Sequence, residues 1–426
     1  MFESVFDVDP GAGEAELRAQ VEQLERMKAT AAAAQARATA LWKAKRQAAD
    51  VAAAVPKSRR GRGLAAEVAL ARMDAPGRGG RHLGMATALV DEMPHTLAAL
   101  STGQLTEWRA TLIVRESACL SVEHRRELDA EMCADAARLA GWGDARIEAE
   151  AKAIACRLDV EAVVDRTAKA TADRCVTIRP APNTMTYVTA LLPVSQGVSV
   201  YAALKRSADT TFDDRSRGQI MADTLVERVT GQPAEQPVSV SLNLVLADTT
   251  LVGDDEAPGW CEGYGPVPAA VVRALVSDAV TDEQAKATLR RLYRHPDSGQ
   301  LVAMESKARI FPKGLAAFID IRDQICRTPY CNAPIRHHDH AKPHHRGGPT
   351  SAHNGLGECE ACNYAKEAPG WTVTTSDDDG NHRAEFQTPT GATYQSTAPP
   401  LPGPPVRAVS VMENGLSIDI VTFAAA

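Results

Sequence analysis

The sequence predicts an α+β chain: a mainly helical N-terminal body with a small β portion, followed by a small module held together by metal and not by an apolar core. Three observations lead there. Apolar residues recur at helical spacing between about residues 14 and 174, and alternation of apolar and polar residues sets in from Val176. Four of the nine cysteines and six of the eleven histidines crowd between Cys326 and Cys362. With 426 residues, 44% of them apolar, the chain has length for two or three domains and too much apolar content for wholesale disorder. A net charge of −7 excludes a surface that coats nucleic acid indiscriminately, so any such contact must be local. An aromatic content of 4% argues against rows of base-stacking platforms.

The N-terminus, Met1 to Pro10, carries Glu3, Asp7 and Asp9 where an export signal has a basic start and an apolar run. Residues 14 to about 55 are rich in Ala, Glu and Gln, with Leu17, Val21 and Leu24 at helical spacing and Leu41 further on. A long helix is expected, pairing with later helices or with another chain, which makes self-association through the N-terminal helices an expectation. Between 57 and 82, Lys57, Arg59, Arg60, Arg62, Arg72, Arg78 and Arg81 face only Glu67 and Asp74. This is either a DNA-backbone contact or a solvated basic loop. Gly61-Arg62-Gly63 lacks the preceding strand that a dinucleotide loop needs.

Residues 85 to 174 read as amphipathic helices, with Leu105, Trp108 and Leu112 on one face, Leu128, Met132 and Leu139 on another, and Ile147, Ala151, Ile154 and Leu158 on a third. Cys119, Cys133 and Cys156 are too widely spaced for a zinc motif and are expected as small buried hydrophobes, with Trp108 in the core. Val176 and Ile178, a turn at Pro180–Asn183, then Met185, Tyr187 and Leu191 predict paired strands. Asn183–Leu204 is free of charge but broken by Pro193, Gln196 and Gly197, so it is expected as strands and a turn and not as a membrane span. Arg217–Thr230, closed by Gly231, predicts a helix, and Val238, Val240, Leu242, Leu244 and Leu246 a strand. A hairpin is expected at His295–Gly299 and a helix entered at Pro312. Asp254 and Asp255 form a solvated acidic turn or, less simply, a metal site. The expected divisions are 1–56, helical; 57–310, a helical α+β domain of unknown role; 311–374, the metal-held module; and 375–426, a flexible Pro-rich tail containing Ala398–Pro405, with Leu416, Ile418 and Ile420 in alternation near its end.

The chemistry is concentrated in the module. The cysteines form two close pairs, Cys326/Cys331 and Cys359/Cys362, 27 residues apart. In the cytoplasm, where thiols stay reduced, this spacing predicts one tetrahedral Zn²⁺ site tying two distant segments. A site closed by four thiolates is structural and leaves catalysis to its neighbours. Asp339-His340 lies in an extended stretch that Pro343 keeps from becoming helix, Gly347-Gly348-Pro349 makes a turn, and Asn363 and Lys366 share one face of a helix opening near Cys359. A carboxylate and an amide oxygen are hard ligands suited to Mg²⁺, and a neutral histidine beside that ion is suited to deprotonate water.

In this pattern of Asp-His-x-x-Pro, Gly-Gly, a central Asn and Cys-x-x-Cys-Asn-x-x-Lys, the segment resembles the zinc-stapled HNH endonucleases, whose domain has the ββα-metal fold. The resemblance implies that Asp339 and Asn363 hold a catalytic Mg²⁺ or Mn²⁺, and that His340 is the general base. It further implies that Asn354 braces the loop carrying the histidine and that Cys326, Cys331, Cys359 and Cys362 hold zinc. Arg346, with Arg336, Lys342 and Lys366, is a candidate phosphate contact, and DNA the expected partner. His337, His338, His344, His345 and His353 are expected as solvated loop residues or phosphate contacts. Family members carry apolar residues where this chain has Gly355 and Glu358, which predicts an irregular second strand; Asn363 stands where some members have histidine. More loosely, a helical body followed by such a domain resembles a large actinobacterial group of HNH-signature proteins. A metal-dependent DNA endonuclease is the leading expectation. The alternatives are a zinc-stapled DNA-binding protein that does not cut, using residues 57–82 and Arg346, and an interaction protein built on the N-terminal helices.

Overall fold

The structure, a computed structural model, describes residues 6–234, 243–252, 255–281, 305–306, 310–378 and 381–401. The expected hairpin at His295–Gly299, the first half of the strand at Val238–Leu246, Asp254 and the alternation at Leu416–Ile420 lie outside these residues. The chain divides into two compact units, Met1–Ala172 with Tyr364–Gly370, and Asp173–Asn363 with Trp371–Ala426. The division between them falls after Ala172, with Tyr364–Gly370 counted in the first.

The first unit is built on the burial of its first helix. Helix α1 (Glu14–Ala52) packs in one core with α3 (Gly79–Thr87), α4 (Pro94–Ser101), α5 (Glu107–Ser117), α6 (Val122–Cys133) and α7 (Asp144–Leu158), while α2 (Leu64–Ala71) lies chiefly against α3 and α8 (Val160–Ala172) adds only the half-buried Val163. Its buried stripe is Ala29, Ala32, Ala33 and Ala36, while Leu17, Val21 and Leu41 are exposed. Alanine wins the buried face because a short side chain lets backbones approach. The turn after α4 shows how closely: a Cβ at Gly103 would lie 2.6 Å from Arg26 Cβ. Leu89, Met93, Leu112, Ile113, Leu128 and Ile147 fill the rest of that core. Trp108 does not join it; the ring is 56% exposed and its Nε1 donates to Asp144 Oδ2 at 3.0 Å. Cys133 is buried, which pushes its thiol up to about 11, whereas Cys119 and Cys156 are half-buried.

The second unit opens with a hairpin of β1 (Cys175–Ala181) and β2 (Met185–Leu191), turning through Asn183 and Thr184 at positive φ. Val194–Thr210 then forms a helix, α9, where strands were expected, because Pro193 fixes a helix entry and Val194, Val198 and Tyr201 follow helical spacing. Helix α10 (Arg217–Thr230) starts at a Ser216 capping box and ends on left-handed Gly231. Strands β3 (Leu244–Val245), β4 (Gly259–Cys261) and β5 (Gly265–Val267) form an antiparallel sheet, joined by α11 (Asp248–Val252) and followed by α12 (Ala269–Thr281). Asp255 serves its own turn, accepting from Thr249 Oγ1 and Ala257 N.

Strand β6 (Glu305–Ser306) pairs with β8 (Thr350–Ser351), and α13 (Lys313–Asp323) begins after Pro312. Strands β7 (His337–His340) and β9 (Gly355–Glu358) pair antiparallel over all four residues, and α14 (Glu360–Lys366) follows. Strand β9 is thus regular despite its glycines, which sit where side chains have no room. A Cβ at Gly355 would lie 2.6 Å from Ile319 Cδ1, and one at Gly357 2.5 Å from Ile335 Cδ1.

Residues 375–397, expected as part of a flexible tail, are instead largely in strands. Strands β10 (Thr372–Asp378), β11 (Asn381–Gln387) and β12 (Thr393–Thr397) form a meander. Its alternating Ala384 and Phe386 are buried against Val373, Leu356 and Ala341. Between meander and site lies a buried polar network. Asp323 accepts from Arg322 Nε at 2.7 Å, Arg327 Nη1 at 3.3 Å and Gly357 N at 2.7 Å. Arg322 also donates to the carbonyls of Ala352 and Gly355, and Arg327 to those of His382 and Ser396.

Asp323→Ala leaves two guanidinium groups buried without their carboxylate, at an expected cost of about 3–5 kcal/mol. Hydrogen exchange of the β9 amides measures it, and a loss below about 1 kcal/mol would show that the network is not what holds β9. His382 is buried beside Arg322 and Arg327; desolvation first, then those cations, lower its pKa to about 4. The unfolded chain therefore binds the proton more readily. Stability from this group is full above about pH 6.5 and is lost as pH falls toward 4, by up to about 3 kcal/mol. Acid titration of the wild type against His382→Gln should show that limb shrink in the variant.

Candidate functional site

Four sulfur atoms converge from two segments. Cys326 and Cys331 lie in the loop after α13, which is folded back by Cys326 N→Ala333 O and Cys331 N→Thr328 O hydrogen bonds and by Tyr330 at positive φ. Cys359 directly follows β9 and Cys362 lies in the first turn of α14. All four are buried, and their Sγ atoms lie within 4.8 Å of one another, Cys331 and Cys359 at 3.8 Å. Thiolates around zinc at about 2.3 Å stand roughly 3.8 Å apart, so this set could hold zinc. Hydrogen bonding from Cys326 lowers the Cys331 and Cys359 thiols, while the same sharing raises Cys326 and Cys362. Crowded thiols share their protons in this way, and a divalent cation would let all four ionise together.

Beside the cysteines, the β7–β9 pair and α14 bring the acid, histidine and amide together. The Asn363 amide nitrogen, turned inward, donates to Asp339 Oδ2 at 2.6 Å and to Glu358 Oε2 at 3.3 Å. His340 is buried, its Nδ1 3.6 Å from Asp339 Oδ1, its Nε2 2.9 Å from Thr350 Oγ1, and its ring 4.7 Å from that of Phe311. Asn354 bridges the loop after β7: its Oδ1 accepts from Lys342 N, and its Nδ2 donates to the carbonyls of Lys342 and Pro349.

The other histidines separate. His338 faces Asp320 at 2.7 Å, His353 faces Asp377 at 2.5 Å, and His344 packs its ring 5.6 Å from that of His340. His345 is exposed on the same loop. Arg336, Lys342 and Arg346 are exposed around the site, whereas Lys366 is buried with its ammonium 3.1 Å from Glu367. In the first unit, Arg72 pairs with Glu107 and Arg78 with Asp74; Lys57, Arg59, Arg60, Arg62 and Arg81 are exposed.

Sequence reasoning missed Thr350, Asp323 and the two arginines, none of which has a spacing signal. It noted Glu358 only as an unexpected polar residue.

These features define an α+β protein with a buried four-cysteine metal site. The chain belongs to the family described as Domain of unknown function (DUF222), whose model matches residues 21–323, more than two-thirds of the sequence and ending just before Cys326. No curated protein and no solved structure matches it. Among the described residues no helix is long and apolar enough to cross a membrane.

The purified chain should carry one zinc per molecule by elemental analysis. Cys359→Ser or Cys326→Ser should abolish that zinc and loosen the module, while Cys133→Ser should leave it in place.

Proposed function

We propose that the chain is a metal-dependent HNH endonuclease that hydrolyses DNA phosphodiester bonds, with a ββα-metal site built on β7, β9 and α14. One observation carries this reading: Asp339 and His340 from β7 and Asn363 from α14 lie within 3.6 Å of their neighbours in this set, beside a four-cysteine cluster. Zinc on the cysteines would hold β9 against the loop after α13. Asp339 and Asn363 would hold Mg²⁺ or Mn²⁺, which supplies positive charge at the scissile phosphate.

With Nε2–H donating to Thr350 Oγ1, the His340 lone pair sits on Nδ1, on the Asp339 side of the ring. That nitrogen takes the proton of the attacking water. Thr350 holds the tautomer, and Asn354 holds the loop that carries both. Arg346, Arg336 and Lys342, all exposed, supply cations for the phosphates on either side. The work would be done in the reducing cytoplasm, where zinc keeps its thiolates.

His340→Ala should reduce nicking or linearisation of supercoiled plasmid in Mg²⁺ or Mn²⁺ by 100-fold or more, roughly the worth of a general base. Its zinc content should stay unchanged. Cleavage at the wild-type rate by that variant would sink the mechanism. Retarded DNA migration without cleavage by either protein would favour a zinc-stapled binder that does not cut.

A further inference from the structure

Glu358 belongs to none of the roles above, yet it points into the same site. It closes β9, two residues beyond Leu356, which pairs with Asp339, so the Glu358 and Asp339 side chains leave the β7–β9 ribbon on one face. The residue is fully buried. A buried carboxylate is costly unless a cation or donors meet it. Its Oε2 lies 3.3 Å from the same Asn363 terminal atom that lies 2.6 Å from Asp339 Oδ2.

We propose that Glu358 is a third oxygen ligand of the divalent cation in this site, an inference that rests on the metal-dependent reading above. The Asn363 amide supplies the switch. Nitrogen inward, it donates to one oxygen of each carboxylate. After a half turn, which leaves the amide's shape unchanged, its oxygen faces two carboxylate oxygens, an arrangement that only a cation stabilises. Adjacent ligands of octahedral Mg²⁺, with bonds of about 2.1 Å, stand roughly 3.0 Å apart, and the spacings of 2.6 and 3.3 Å bracket that value. Asp339 alone brings one negative charge to a 2+ ion; Glu358 brings the second. The competing role is a hydrogen-bonding prop for Asn363. Glutamine preserves a prop, because its carbonyl still accepts from the amide, but it removes the charge that a hard cation prefers.

Mn²⁺ titration of the full-length zinc-loaded protein, read by the electron paramagnetic resonance of free Mn²⁺, separates these roles. Glu358→Gln should weaken Mn²⁺ binding at least tenfold with zinc still at one per chain, and Asp339→Asn should weaken it as much or more. Affinity in Glu358→Gln within twofold of wild type, with Asp339→Asn weakened, overturns the role of Glu358 and leaves the endonuclease reading standing. A wild type that binds no Mn²⁺, or is indifferent to Asp339→Asn, overturns both. Anomalous diffraction from wild-type crystals soaked in Mn²⁺ tests the ligand without relying on any variant's folding. Manganese within about 2.4 Å of a Glu358 oxygen supports the assignment, and manganese held by Asp339 with Glu358 beyond 3 Å overturns it.

Discussion

The carboxylate of Asp323 is the point on which the cysteine-containing module closes. It stands at the last residue of α13 and receives Arg322 beside it, Arg327 from the loop that carries Cys326, and the backbone N–H of Gly357 in β9. Through the two arginines it reaches carbonyls before and in β9 and two more in the meander. Burying three charges brings little net stability. What it brings is registration, since each guanidinium hydrogen fits one particular oxygen, and sliding β9 by one residue would strand several of them. A module whose apolar cluster around Leu356 and Phe386 is so small has few other ways to fix where its second strand lies.

Fixing β9 fixes both ends of the chemistry. The strand runs from Gly355, opposite His340, to Glu358, opposite His337, and Cys359 follows at once. The four-cysteine cluster then clamps the start of α14 to the loop after α13, and Asn363 is the residue after Cys362. Zinc and catalytic cation would therefore be mechanically coupled through a single peptide bond. A metal site needs its ligands held to about 0.5 Å, and on this short ribbon the staple is what can supply that precision. Asn354 does the same on the other side, tying Lys342 to Pro349 so that the loop between β7 and β8 cannot drift from His340.

How much of this was legible in the sequence depends on the reach of the interaction. Gly231 marks the end of α10 because capping is local, and the two cysteine pairs announce their meeting because few other uses suit that spacing. Helix α1 was legible as a helix but not in its orientation. Hydrophobicity favours Leu17, Val21 and Leu41 as the buried face, whereas close packing selects alanine. Trp108 was misassigned for a related reason: spacing put it in line with Leu105 and Leu112, but its indole N–H finds Asp144 at the surface. The meander over Thr372–Thr397 was hidden by its Thr, Ser and Asp content. Its buried apolar residues are just Val373, Ala384 and Phe386, and their partners Leu356 and Ala341 are distant in sequence. Asp323 left no readable trace, because an acid with arginines one and four residues away looks like an ordinary surface ion pair in sequence, and its one distant partner, the Gly357 N–H, is set by tertiary structure alone.

Strand β9 shows why the two departures from the apolar pattern belong together. Its alternate residues Gly355 and Gly357 turn toward α13 and the loop before β7, where Ile319 and Ile335 come so near that no side chain fits. The other two, Leu356 and Glu358, turn the opposite way. Leu356 enters the apolar cluster, and Glu358 ends the strand beside Asn363. With one face reduced to glycine by close packing, the strand has two side chains left to contribute. A carboxyl at one of those two positions lies fully out of solvent. Leucine there would enlarge the apolar cluster at no electrostatic cost. A carboxyl there makes physical sense because it faces a second carboxylate and an amide that can turn either its nitrogen or its oxygen toward them.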